Sequence, residues 1–133
     1  MKAFRYSIKT QKRVQMQEID EMVTRAINES GITDGIAVVF TPHTTAGITI
    51  NENADPDVVR DIVQEINKVI PFDDGYQHME GNSAAHIKSS LFSPSLTLII
   101  QDGRPIFGTW QSLYFCEFDG PRTRTVYIKM MSD

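Results

Sequence analysis

Gly35-Ile36-Ala37-Val38-Val39-Phe40-Thr41-Pro42-His43-Thr44-Thr45-Ala46-Gly47-Ile48-Thr49-Ile50 holds two short apolar runs around a polar turn. Residues 35–40 are almost continuously apolar, which predicts a strand buried on both faces. Gly47 to Ile50 begins another strand. The intervening Thr41-Pro42-His43-Thr44-Thr45 is a polar turn wedged between core strands.

Working outward, alternation over 3–9 and 13–18, with Gln11-Lys12 between, predicts a hairpin. Residues 20–30 place Met22, Val23, Ala26 and Ile27 at helical spacing, with Asp20 as candidate cap and Gly31 as stop. The clearest helix spans Pro56 to Ile70. Asp55 can cap it, Pro56 suits its first position, and Asp57 favours the positive end of its dipole. Its apolar stripe runs through Val58, Val59, Ile62, Val63, Ile66, Val69 and Ile70. A short helix is expected from about Ser83. Residues 96–101, 107–118 and 123–131 read as strands, with turns at Asp102-Gly103 and Asp119-Gly120-Pro121. The second turn reads as a hairpin connection. Few helices intervene between strands. The pattern predicts one α+β domain over residues 1–133, with a mixed, largely antiparallel sheet and two or three helices.

Seventeen acidic residues against thirteen basic ones give a net charge of −4, without the positive stripe that nucleic acid requires. A small anion met by one or two arginines remains compatible. The single cysteine, Cys116, forms no internal disulfide and reads as a packed apolar residue. No apolar window approaches a membrane span, and the first residues lack a signal-peptide core, so the expected location is cytoplasmic.

Chemistry concentrates at the junctions. His43, His78 and His86 all fall outside the apolar runs, in the 41–45 turn, in the loop after the long helix and in the first turn of the short one. Imidazole is a common ligand for transition metals, and three protein ligands plus water describe an open zinc site. Their spacing alone equally suits three separate loop histidines. Glu52 could orient an imidazole or act as a general base, or be a surface residue. Arg122 and Arg124 share a strand face and suit a phosphate or carboxylate, unless they pair with Glu117 or Asp119. The amides near Ser83-Ala84-Ala85 could also meet an anion. No phosphate-binding loop, dinucleotide fingerprint, paired-cysteine motif or nucleophile elbow is present.

Thr41-Pro42-His43-Thr44-Thr45-Ala46, Asn51-Glu52, Asn82-Ser83-Ala84-Ala85-His86-Ile87-Lys88, Gly108-Thr109-Trp110-Gln111 and Phe118-Asp119-Gly120-Pro121-Arg122 resemble, in order, conserved blocks of the YjbQ-like family. This is the "secondary thiamine-phosphate synthase" family. The resemblance implies an α+β fold, a homotrimer and a divalent-metal site, zinc by preference, on His43, His78 and His86. It places Glu52, Glu117 and Arg122 in or beside the pocket as catalytic candidates, with Trp110 read as a core or interface aromatic. The implied reaction joins a pyrimidine pyrophosphate to a thiazole phosphate and releases pyrophosphate. A metal-assisted hydrolysis with Glu52 as base is a second enzymatic reading. A non-catalytic trimer that holds a metal or small anion is the alternative. The loops at 41–45 and 76–86 suggest a pocket shared between chains.

Overall fold

The computed structural model describes residues 2–133. The chain runs β1 (Phe4–Lys9), β2 (Gln15–Glu18), α1 (Asp20–Ser30), β3 (Gly35–Phe40), β4 (Ala46–Glu52), α2 (Pro56–Val69), α3 (Ser83–Phe92), β5 (Ser95–Gln101), β6 (Arg104–Pro105), β7 (Gln111–Glu117) and β8 (Thr123–Ser132). Every strand pairing is antiparallel. A five-stranded sheet has the order β1-β8-β3-β5-β6, and a three-stranded sheet the order β2-β7-β4. This is the expected α+β domain.

Two expected hairpins do not form. β1 pairs with β8 while β2 pairs with β7, so the 10–14 connection crosses between sheets. The Asp119-Gly120-Pro121 reversal likewise carries the chain from β7 in the small sheet to β8 in the large one. Turn residues specify that a chain reverses, not which strand it then meets. The Asp102-Gly103 hairpin does form. Both residues are left-handed, with φ of 53° and 74°, as a tight two-residue connection requires.

The main core lies between the two sheets. The larger sheet contributes Tyr6, Ile8, Ala37, Val39, Leu98, Ile100, Val126, Ile128 and Met130. The smaller adds Ala46, Ile48, Leu113 and Phe115, and α1 adds Val23, Ala26 and Ile27. A second cluster, with Ala85, Tyr114, Cys116 and Phe118, fills the other face of the small sheet under α2 and α3. The strand buried on both faces is therefore β7, not β3. In β3 only Gly35, Ala37 and Val39 are buried, and Phe40 is exposed. Phe115 has no exposed surface, and its truncation to Ala would cost about 3–5 kcal/mol.

The capping residues behave unevenly. Asp55 accepts from the Asp57 amide and starts α2, as expected. Asp20 instead lies inside α1, and its carboxylate accepts from the Leu113 amide at 2.7 Å, tying α1 to β7. The apolar stripe of α2 is only half-covered: no residue of Pro56–Val69 is buried, Val69 is 66% exposed, and only Ile70, just past the helix, is buried. Trp110, 62% exposed, is not a core residue in this chain. Among the described residues no helix is long and apolar enough to cross a membrane.

Candidate functional site

His43, His78 and His86 line one cavity of about 440 Å³ with Pro42, Thr44, Thr45, Glu80, Asn82, Asp119, Arg122 and Arg124. Three segments meet there because two sheet-to-sheet crossings, 41–45 and 118–122, open at the same end of the fold. The third segment, 77–86, leads into α3. An adjoining cavity of about 440 Å³ is lined by Tyr76, Gln77, Ser83, Ile87 and again His78 and His86.

A buried ion pair forms the floor. Glu117 is wholly buried and Arg124 nearly so. Arg124 donates from Nε to Glu117 Oε1 at 2.9 Å and from Nη2 to Glu117 Oε2. The same Nη2 reaches Thr45 Oγ1 at 2.8 Å and the Thr45 carbonyl at 3.2 Å. Glu117 also accepts from Thr10 Oγ1 at 2.7 Å and from the Asp119 amide at 3.0 Å. Burial pushes the Glu117 pKa up, but these hydrogen bonds together hold it below the ordinary carboxylate value. A carboxylate so committed organises the cavity rather than shuttling protons within it. Gly120 packs over the pair, and a Cβ there would collide with the Lys12 carbonyl and Glu117 Cγ.

Arg122 stands higher on the wall, half-exposed. It donates to the Asp119 carbonyl at 2.9 Å and to Asp119 Oδ2 at 3.3 Å. Two of its five N–H donors are thus engaged, and a pocket anion could take others. Asn82 Nδ2 donates to the same Asp119 oxygen at 2.9 Å, while Asn82 Oδ1 is buried without a partner.

The histidines divide into a pair and a single ring. His78 and His86 meet edge-to-face with ring centres 5.5 Å apart. Imidazole is a donor type that zinc accepts, and this pair supplies two of them side by side. His43 is held apart: its Nε2 accepts from the Thr125 amide at 2.9 Å. Burial chiefly, then Arg124 and Arg122, lower its pKa against an opposing pull from Glu117. Among the described residues no group of three or more His, Cys, Asp or Glu converges to hold a metal ion.

Glu52 does not join the site within one chain. It ends β4, whose seven residues run from Ala46 beside the cavity to a point about 20 Å away at the usual rise per residue. Its carbonyl accepts instead from the Tyr114 hydroxyl. Glu80 and Asp119 are the carboxylates on the cavity wall. Glu80 carried no signal in the sequence beyond its place two residues after His78.

Residues 4–133 match the profile of the UPF0047 protein YjbQ-like family. The chain belongs to that family. It is 55% identical over 130 residues to UPF0047 protein MJ1081 of Methanocaldococcus jannaschii, covering 98% of this chain and 94% of that one. It is 57% identical over 125 residues to UPF0047 protein YugU of Bacillus subtilis, covering 93% and 95%. The crystal structure of a YjbQ/UPF0047-family protein from Clostridium acetobutylicum superposes with a TM-score of 0.94 at 55% identity, covering 96% and 99% of the two chains.

Proposed function

We propose that this YjbQ-like chain binds a small phosphorylated or otherwise anionic substrate in the histidine cavity, beside a divalent metal, zinc by preference. The observation that carries this reading is that His43 from the 41–45 turn and His78 and His86 from the 77–86 segment line a single cavity with Arg122. A guanidinium with free donors suits phosphate oxygens, and the paired imidazoles of His78 and His86 suit zinc. When bound, the metal would supply Lewis-acid stabilisation of negative charge. Arg122 would orient the anion, and the adjoining cavity with Tyr76 and Ile87 would accept an apolar ring.

A thiamine-phosphate synthase-like reaction agrees with this layout. In it a ring nitrogen displaces pyrophosphate from a pyrimidine methylene carbon: one C–N bond forms, one C–O bond breaks, and pyrophosphate leaves with the bonding pair. Arg122 would receive that charge. Metal-assisted hydrolysis draws on the same groups, with Glu80 or Asp119 in the base role that the sequence suggested for Glu52. Two observations favour a binding role without turnover: Glu117 is buried and fully hydrogen-bonded, and Glu52 lies at the far end of β4. We further propose a homotrimer. Half-covered α2 and exposed Phe40, Ile99 and Met131 on the large sheet supply apolar surface for subunit contacts.

The test is elemental analysis of untagged protein, with His78→Ala and His86→Ala, followed by turnover assays with pyrimidine pyrophosphate plus thiazole phosphate and with simple phosphoesters. Stoichiometric zinc lost in both variants, with turnover of either substrate set, supports an enzyme. Zinc without turnover supports the binding role, and absence of zinc after reconstitution overturns the metal. Solution mass by light scattering tests the trimer.

A further inference from the structure

The Thr41-Pro42-His43 turn can be read atom by atom. β3 and β8 pair with Phe40 opposite Tyr127. Continuing that register by two residues puts Pro42 opposite Thr125, whose amide and carbonyl face the missing partner. Proline has no N–H to donate and cannot extend the ladder. Its two neighbours do so with side chains. Thr41 Oγ1 donates to the Thr125 carbonyl at 3.0 Å, and His43 Nε2 accepts from the Thr125 amide at 2.9 Å.

A backbone N–H is only a donor, so His43 Nε2 must carry a lone pair. Turning the ring over would leave the amide facing carbon. The neutral imidazole then has its proton on Nδ1, because one nitrogen donates when the other accepts. Both ring nitrogens are thereby accounted for: the one lone pair, on Nε2, is spent on the Thr125 amide, and Nδ1 bears hydrogen. The ring lines the cavity with a single polar function left, an N–H.

We infer that His43 is a fixed Nδ1–H hydrogen-bond donor to a bound anion, acting with Arg122, and is not a metal ligand. The inference rests on the anion-binding reading above and deepens it by dividing the three histidines. His78 and His86 serve a metal, and His43 serves the substrate's oxygens. The sheet itself sets the tautomer, since the Thr125 amide belongs to β8.

The experiment uses full-length protein with ¹⁵N-labelled histidine, zinc alone and inorganic pyrophosphate alone as probes, and the variants His43→Gln, His43→Ala, His78→Ala and His86→Ala. Glutamine keeps an oxygen for the Thr125 amide and an N–H₂ for the cavity but is a poor zinc ligand. Long-range ¹H–¹⁵N correlation is expected to show His43 protonated at Nδ1, with and without zinc. Zinc binding is expected to survive in His43→Gln and to be lost in His78→Ala and His86→Ala. Pyrophosphate affinity is expected to fall about tenfold in His43→Ala, as for loss of a hydrogen bond to a charged group, and to recover in His43→Gln. Zinc loss in a folded His43→Gln, or a proton on Nε2, would overturn the inference. Should wild type bind no zinc, the metal in the proposed function fails, while the tautomer and pyrophosphate results still decide the role of His43. Should it bind no pyrophosphate, the donor role fails with it.

Discussion

The floor and the rim of the cavity are built on opposite plans. At the floor, Thr10, Thr45, Glu117 and Arg124 are all buried, and their polar atoms are spent on one another. At the rim, residues 71–82 form no helix or strand, and Met79 is 99% exposed. The rim is tied down at few points. Phe72 lies under the Arg13 guanidinium at 3.5 Å and near the Lys88 ammonium at 4.1 Å, and Tyr76 donates to the Pro71 carbonyl. Lys88, itself wholly buried, donates to Asn67 Oδ1 at 2.6 Å and so joins α3 to α2. The floor thus belongs to the stability of the fold, and the rim is free to respond to what binds. Substitutions should separate the two.

The largest loss is expected at the floor. Glu117→Ala leaves Arg124 buried and unpaired and should cost about 3–5 kcal/mol in urea denaturation. The native Glu117 pKa lies below its ordinary 4.5, so the stability this carboxylate contributes is present above that value. It is lost as pH falls through the lower native pKa, and an acid titration of wild type should show the onset below about pH 4.5. Gly120→Ala forces a methyl against Glu117 and the Lys12 carbonyl, and should cost about 1–3 kcal/mol by the same assay. A cost near zero would mean that the floor is not rigid.

Lys88 tests the joint between the two regions. Burial, aided by Arg13, brings its pKa from 10.5 to about 8. Between those values the unfolded chain holds a proton that the native one has released, so stability rises with pH through that window. The gain is lost as pH falls through 8. Wild type should therefore gain stability relative to Lys88→Met when denaturation at pH 10 is compared with pH 7.5. A pH-independent difference would mean that the amine keeps its charge in the fold. The smallest stability effect is expected at the rim. Arg122→Gln removes a half-exposed ion pair, worth at most about 1 kcal/mol, yet should weaken pyrophosphate binding about tenfold by calorimetry. Equal losses in stability and affinity would erase the distinction between floor and rim.

Local chemistry was legible in the sequence, and partnership was not. The Asp55 cap, the Asp102-Gly103 turn and the junction positions of all three histidines follow from residue type and spacing. Asp20 was misread because a capping carboxylate and one that reaches across to Leu113 look the same along the chain. Both hairpins failed because the polar turns join strands of different sheets. Glu117 and Glu52 were equivalent as candidates until burial and strand direction separated them. Pro42 looked like an ordinary turn residue, and only the β3–β8 register shows that Thr41 and His43 stand in for it.

That β1 lies at one edge of the large sheet, with β8 as its one sheet neighbour among the described residues, bears on how the protein is made. On the ribosome, residues 4–9 emerge early and wait for residues 123–132, and β3 also needs β8 on one side. Until then Ile8 and Val39 lack β8 beside them. The β1–β8 and β3–β8 pairings must therefore form after residue 132 has been made and close very long loops, whereas β3, β5 and β6 can pair earlier.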